Sequence, residues 1–179
     1  MRTACLCLVT LLYACGGAPA ANLPPPSPEA LALRRMATEL LQRPPIEADE
    51  VTVQHCLIAT RGSGAISDKP SLTHAQAEQR AAVLLTQALA GADFNRLVLE
   101  NTYDDISSAE EPGVFVLLQP TAPPGERPLL DVSTGRFWRD QMVPAFGEAA
   151  WRLKVGEIGV IEKSKTDSPY GYHIIKRLR

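Results

Sequence analysis

The order in which strand-like and helix-like segments follow one another predicts an α+β domain with a mostly antiparallel sheet. Residues 51–60 alternate in the way that is typical of a strand. A helical run over residues 73–91 follows, and then a short apolar strand at residues 113–118. After one more helix, residues 158–162 and 172–178 read as two closing strands. We therefore expect four strands and several helices in one domain.

A first helix is predicted before the sheet begins. Ser27 is a good N-cap, and Pro28 suits the first turn of a helix. The leucines and methionine that follow have helical spacing as far as Arg43, and Pro44 and Pro45 stop the run. We expect this short helix to pack on the domain or on a partner.

Three further helices are predicted from caps and spacing. Thr73 and Gln76 have the spacing of a capping box at the start of the helix that ends at Gly91. Asp93 is a suitable N-cap for a helix over residues 94–99. Pro144 suits the first turn of a last helix, which we expect to end near residue 156.

Length and composition limit the classes of function. With 179 residues the chain has room for one domain and its tails. Hydrophobic residues make up 45% and charged residues 21%, which is ordinary for a globular protein. The net charge of -2 gives no electrostatic reason to expect a nucleic-acid partner.

The first 21 residues have the features of an export signal. A positive Arg2 precedes an apolar run that is too short to span a bilayer. The run ends at Leu12, Ala14 and Cys15, a pattern that resembles the bacterial lipobox, in which the cysteine is lipidated. We therefore expect a signal peptide at residues 1–14, lipidation at Cys15, and a tether over residues 15–50. The alternative is a plain secretory signal that is cut within residues 18–21.

Four stretches of the chain, in order, resemble the parvulin family of peptidyl-prolyl cis-trans isomerases. They lie at residues 53–58, at residues 88–94, at residues 141–157, and at residues 170–176. The resemblance covers residues 51–179 and implies a four-stranded, mostly antiparallel sheet surrounded by about four helices. It also implies an isomerase that acts on proline-containing polypeptides and needs no cofactor or metal.

The chain departs from the family pattern at two places. Residues 111–115 stand where parvulins usually have a turn of the form Gly-Gly-Asp-Leu-Gly. Residues 119–135 form a proline-rich loop where the family is normally short. The insertion lies close to the expected substrate rim.

The resemblance implies a proline pocket lined by Met142 and Phe146, with Gln141 beside them. Their i, i+4 separation on a helix puts Met142 and Phe146 on one face, so the sequence independently allows this arrangement. Without the flanking motif, an apolar pair at this spacing would more often belong to an ordinary core. Leu129 or Leu130 of the insertion is a candidate for a further wall.

The resemblance also implies a hydrogen-bonded network around two facing histidines, His55 and His173. Ser168 matches a hydroxyl position before the last strand, and the resemblance makes it a candidate member of this network. The family's Cys or Asp position falls at Asp105 in one register and at Ile106 in another, and we favour Asp105.

Two other kinds of site are disfavoured by the sequence. Cys56 follows His55 directly, but neighbours in a strand point to opposite faces and cannot form a nucleophile–base pair. The three histidines of the chain lack the short ligand spacing of a zinc site. If Cys5 and Cys7 leave with the signal, Cys56 remains the one free thiol.

The leading hypothesis is a lipid-anchored isomerase that assists the folding of exported proteins at the bacterial cell envelope. One alternative is a non-catalytic chaperone or peptide-binding module on the same fold, and another is a structural envelope lipoprotein. Specificity for phosphorylated substrates is disfavoured, because Arg61 and Lys69 are the only cations between Thr60 and Leu72.

Overall fold

The computed structural model describes residues 25–63, 71–104, 106 and 108–179. The helices are α1 (Pro28–Gln42), α2 (His74–Leu89), α3 (Phe94–Asn101) and α4 (Pro144–Ala150). The strands are β1 (Glu50–Ala59), β2 (Val114–Leu118), β3 (Arg136–Trp138), β4 (Ile158–Ile161) and β5 (Gly171–Arg177). Two 3-10 turns lie at Val132–Thr134 and Arg139–Gln141.

The strands form one sheet in the order β3-β2-β1-β5-β4. All neighbours are antiparallel except β2 and β3, which are parallel. The predicted α+β class with a mostly antiparallel sheet and four helices is thus confirmed, with one strand more than expected. β3 is three residues long, too short for an alternating pattern to be visible in the sequence.

Side chains of β1 alternate between the two faces of the sheet. Cys56 and Ile58 join a core cluster with residues of α1, α2 and α3. Val51 and Val53 face the other way, into a cluster with residues of α4. The sheet is therefore covered on both faces, and His55 shares the face of the valines.

Helix α1 packs on the domain rather than standing apart. Its buried residues are Ala30, Leu33, Ala37 and Leu40. Arg34 donates two hydrogen bonds to the carboxylate of Glu78 in α2, at 2.5 and 2.9 Å. Of the two expectations for this helix, packing on the domain is the one observed, while the division of the chain at residues 50–51 stays a prediction. Within the described part of the chain, no helix has the length and apolar character needed to cross a membrane.

Candidate active site

On the side of β1 away from β5, the neighbouring segment changes along the strand. Residues Glu50–Gln54 pair with β2, whereas the rest of β1 extends past the first residue of β2, Val114. There the His55 amide donates to the Gly113 carbonyl at 2.9 Å. Gly113 has a φ of +67°, and a Cβ built on it would lie 2.4 Å from the His55 carbonyl oxygen. Only glycine fits this crossing, which lies in the turn that departs from the family pattern.

The segment after α3 takes the place that β2 leaves. The Leu57 amide donates to Thr102 Oγ1 at 3.1 Å, and the Tyr103 amide donates to the Leu57 carbonyl at 2.9 Å. The Asp104 amide donates to the same Thr102 hydroxyl at 3.2 Å. These three hydrogen bonds fix the segment along β1 and place Asp104 on the face of the sheet that carries His55.

His55 and His173 face each other across β1 and β5. Leu57 pairs with His173 in the register, so both imidazoles lie on one side of the sheet. Their ring centroids are 5.8 Å apart, and the ring planes differ by 25°. The two residues are only 1% and 4% exposed. The sequence thus predicted correctly that these two histidines would meet.

Asp104 is the carboxylate that the structure places against this pair. Its Oδ2 lies 3.1 Å from His55 Nε2, which is ion-pair distance, although the N–H direction does not meet the geometry of a hydrogen bond. Both ring nitrogens of His173 lack a hydrogen-bond partner among the described residues. Burial, together with the nearby His55, lowers the pKa of His173 to about 3, and Asp104 partly opposes this shift. His173 is therefore neutral at pH 7.

The histidines lie at the base of a mostly apolar cavity of about 350 Å³. It is lined by His55, Leu57, Asp104, Phe115, Phe137, Gln141, Met142, Val143, Phe146, Tyr170 and His173. The His55 ring centroid lies 4.7 Å from that of Phe115 and 5.1 Å from that of Phe146. The size and lining suit a small apolar group with a few convergent polar atoms.

Five of the predicted site residues line this cavity, and the two candidates from the insertion do not. His55, His173, Gln141, Met142 and Phe146 all line it. The expected wall from the insertion is wrong, because neither Leu129 nor Leu130 lines the cavity and Leu129 is 99% exposed. The insertion is instead held at Pro128, whose carbonyl accepts a hydrogen bond from the Trp138 indole at 3.1 Å.

Ser168 is buried, and its side chain bonds within its own turn. Its hydroxyl donates to the Gly171 carbonyl at 2.9 Å, and neither histidine receives a hydrogen bond from it in the described structure. Asp105 and Cys15 lie outside the described residues. The alternative register, Ile106, is described, but it does not line the cavity.

Several lining residues were not singled out from the sequence. Leu57 could have been found, because the two-residue period of β1 puts it on the same face as His55. Phe115 is the last residue of the altered stretch at residues 111–115, and Phe137 belongs to β3, which was not predicted. Asp104 lies one residue before the favoured Asp105, and the sequence gives no sign of the hydrogen bonds that fix its loop.

Cys56 lies on the opposite face, as the strand period predicts. The side chain is fully buried in the core cluster under α2, and burial raises the pKa of its thiol to about 12. A Cys56–His55 nucleophile pair is therefore excluded. In the part of the chain that the structure describes, no group of three or more His, Cys, Asp or Glu side chains could hold a metal ion.

Comparison with known proteins agrees with this geometry. The model of the PPIC-type peptidyl-prolyl isomerase domain matches residues 38–178. The chain belongs to the parvulin, or PPIC-type, family. The match begins within α1, so the family's sequence pattern reaches further toward the N-terminus than the resemblance at residues 51–179 suggested.

Two solved structures were also found to be similar to this chain. Peptidyl-prolyl isomerase ESS1 from Candida albicans is 24% identical, with a TM-score of 0.53, and the match covers 83% of this chain and 74% of that one. The solution structure of TbPIN1 is 20% identical with a TM-score of 0.49, covering 74% of this chain and 100% of that one. No curated protein matches the chain significantly. The Candida structure supports the fold.

Proposed function

We propose that this domain is a peptidyl-prolyl cis-trans isomerase whose active site is the cavity above His55 and His173. The observation that carries the proposal is an apolar, aromatic cavity built over two buried facing histidines in a member of the parvulin family. Family membership implies proline-containing polypeptides as substrates.

The chemistry of the reaction suits such a cavity. Isomerisation breaks no bond, and its barrier of about 20 kcal/mol is the lost conjugation of the peptide bond. Without a catalyst it takes tens of seconds or more. In the twisted transition state the amide is less polar and the lone pair of its nitrogen is more localised. An apolar site therefore favours the transition state over the planar ground state.

The side chains divide this task between them. Met142 and Phe146 hold the proline ring by apolar contact, with Phe115 as a third wall. A neutral imidazole can donate a hydrogen bond from one ring nitrogen without placing a net charge in the cavity. The Asp104 carboxylate beside His55 Nε2 favours a proton on that nitrogen and so orients the ring.

The proposed setting is the bacterial cell envelope, where the isomerase assists the folding of exported proteins. Support comes from the sequence alone: the apolar run that follows Arg2, the lipobox-like ending at Cys15, and the tether that follows. A labelled fatty acid should be incorporated into the chain in cells and be lost in Cys15→Ser. Labelling that persists in the variant, or that is absent from the parent, would contradict the anchor.

Exchange spectroscopy by NMR tests the activity. Peptides of the type Ala-Xaa-Pro-Phe should exchange between cis and trans faster with the full chain carrying Cys15→Ser. Adding Met142→Ala should reduce the acceleration about tenfold or more, since it removes contacts made to the proline ring. Val155→Ala is the matched control, because Val155 is 67% exposed and lies outside the cavity. Peptide binding without acceleration by a folded parent would instead establish the non-catalytic binding module.

A further inference from the structure

A second cavity of about 400 Å³ adjoins the proposed proline pocket. Met142 lines both cavities. Neighbouring residues of α4 line the two cavities: Phe146 lines the first, and Gly147 lines the second. The apolar part of the second lining is made by Pro120, Met142, Pro144 and Gly147. Pro120 is the second residue of the proline-rich insertion, so this cavity depends on a feature that sets the chain apart from the family pattern.

The second cavity has a preformed wall. Arg139 donates to Gln119 Oε1 at 3.1 Å and to Glu148 Oε1 at 2.7 Å, and its guanidinium lies 4.7 Å from the centre of the Trp151 ring. A Cβ built on Gly147 would lie 2.8 Å from the Arg139 carbonyl oxygen, so helix and turn are in direct contact there. A ligand would not need to order these groups, which lowers the entropic cost of binding.

The charges around this cavity are already paired. Glu148 contacts Arg139 and Arg152, and Asp140 Oδ1 lies 2.6 Å from Arg127 Nη2. The three arginine side chains are largely buried, whereas about half of each carboxylate side chain is covered. Each charged side chain among the described residues that line this cavity is therefore paired, and the proline and methionine surfaces favour an uncharged, apolar group.

We propose that the second cavity is a subsite for an apolar side chain of the client, next to the proline that isomerises. This inference rests on the proposed function. Adjacent residues of a peptide have Cα atoms only about 3.8 Å apart, so a proline ring against one side of Met142 brings a flanking side chain to the other side. The subsite would make the isomerase select apolar segments, which are the parts of an unfolded chain that folding must bury.

Peptide pairs that differ only next to the proline test this subsite. The full chain with Cys15→Ser is assayed on peptides with Leu or Gly just before the proline, and on a second pair with Leu or Gly just after it. We expect kcat/KM to be about tenfold higher for Leu in one pair, as burial of a leucine side chain would give. Equal values in both pairs would overturn the subsite, whereas no acceleration of any peptide would instead overturn the proposed function.

Filling the cavity provides the second arm. Pro120→Trp should bring the Leu-to-Gly ratio close to one, because the indole occupies the space proposed for the leucine side chain. Gln87→Trp is the matched control, because it places the same bulk in a separate groove between α2 and α3. If circular dichroism shows that Pro120→Trp is unfolded, Pro120→Leu replaces it and should lower the ratio at least twofold. A folded variant that keeps the parent's ratio would contradict the inference.

Discussion

The two faces of β1 are equally buried but differ in what surrounds them. Cys56 and Ile58 pack among the apolar side chains of three helices. His55 and Leu57 are as deeply buried, yet they border a cavity that opens between β2, β5 and α4. On the first face Cys56 and Ile58 pack in an apolar core cluster, and Ile58 also lines a separate, more polar cavity with Arg80 and Asn101. On the second face, imidazole nitrogens without a hydrogen-bond partner among the described residues meet an apolar space. Burial alone therefore does not distinguish core from site; the polar atoms left facing a cavity do.

The largest effect on stability is expected on the face of the sheet that carries Cys56 and Ile58. Ile174 is fully buried and pairs with Cys56 in the register of β5 and β1. Ile174→Ala removes buried methyl groups and should lower the free energy of unfolding by about 2–5 kcal/mol. Urea denaturation measures this change. The exchange rate per folded molecule should stay within about twofold of the parent, and a much larger loss would mean that the two faces are not separate.

His173, the residue before Ile174 in β5, should behave in the opposite way: its replacement should affect activity more than stability. His173→Leu removes two buried ring nitrogens that have no hydrogen-bond partner among the described residues, so stability should be retained or increased. Activity should fall roughly ten- to a hundredfold, since the cavity loses a fixed dipole. Measuring kcat/KM and unfolding on one preparation checks both halves of this prediction. A stable variant with full activity would remove His173 from the mechanism.

The pH dependence of stability should also differ between the faces. The folded pKa of His173 is about 3 and its unfolded value is near 6.5, so between these values the unfolded chain binds more protons. Stability should therefore fall by about 1 kcal/mol per pH unit as the pH drops below 6. Urea denaturation at several pH values measures the slope. His173→Leu should flatten it, whereas His74→Gln, which removes an exposed histidine, should not.

Thr102 should have a smaller effect that acts through Asp104. Its hydroxyl accepts hydrogen bonds from the Leu57 and Asp104 amides and so holds the carboxylate beside His55. Thr102→Val keeps the shape but removes the acceptor, and should lower kcat about fivefold with a stability loss of about 1 kcal/mol. Thr102→Ser restores the acceptor and should recover most of the rate. A purely structural role would leave the rate per folded molecule unchanged in both variants.

Sequence reasoning succeeded where a periodic pattern determines the geometry. The period of β1 separated His55 from Cys56, and the capping box at Thr73 and Gln76 is present, with bonds of 2.9 and 3.3 Å. Met142 and Phe146 do line one cavity, but the helical spacing expected for them is wrong, because α4 begins at Pro144 and Met142 precedes it in extended backbone. For β1 and the capping box, the spacing of a few neighbouring residues fixes the direction of the side chains.

The sequence was less informative where long-range hydrogen bonds set the position. Asp104 reaches His55 because Thr102 and Tyr103 bond to β1, more than forty residues away in the chain. Likewise β3 exists because three residues after the insertion pair with β2. Such contacts leave no local period, and this is why the register chosen for the acidic residue and the number of strands were the uncertain parts.

The most direct test compares two adjacent leucine-sized residues of β1. Leu57 and Ile58 are each 1% exposed, but Leu57 borders the cavity of the two histidines, whereas Ile58 packs in the core cluster on the opposite face of the sheet. Leu57→Ala and Ile58→Ala are assayed for unfolding and for exchange of one proline peptide. The account predicts the larger loss of kcat/KM per folded molecule, about tenfold, in Leu57→Ala, and near-parent kcat/KM with reduced stability in Ile58→Ala. Equal losses of kcat/KM in the two variants would contradict the assignment of catalysis to one face of the sheet.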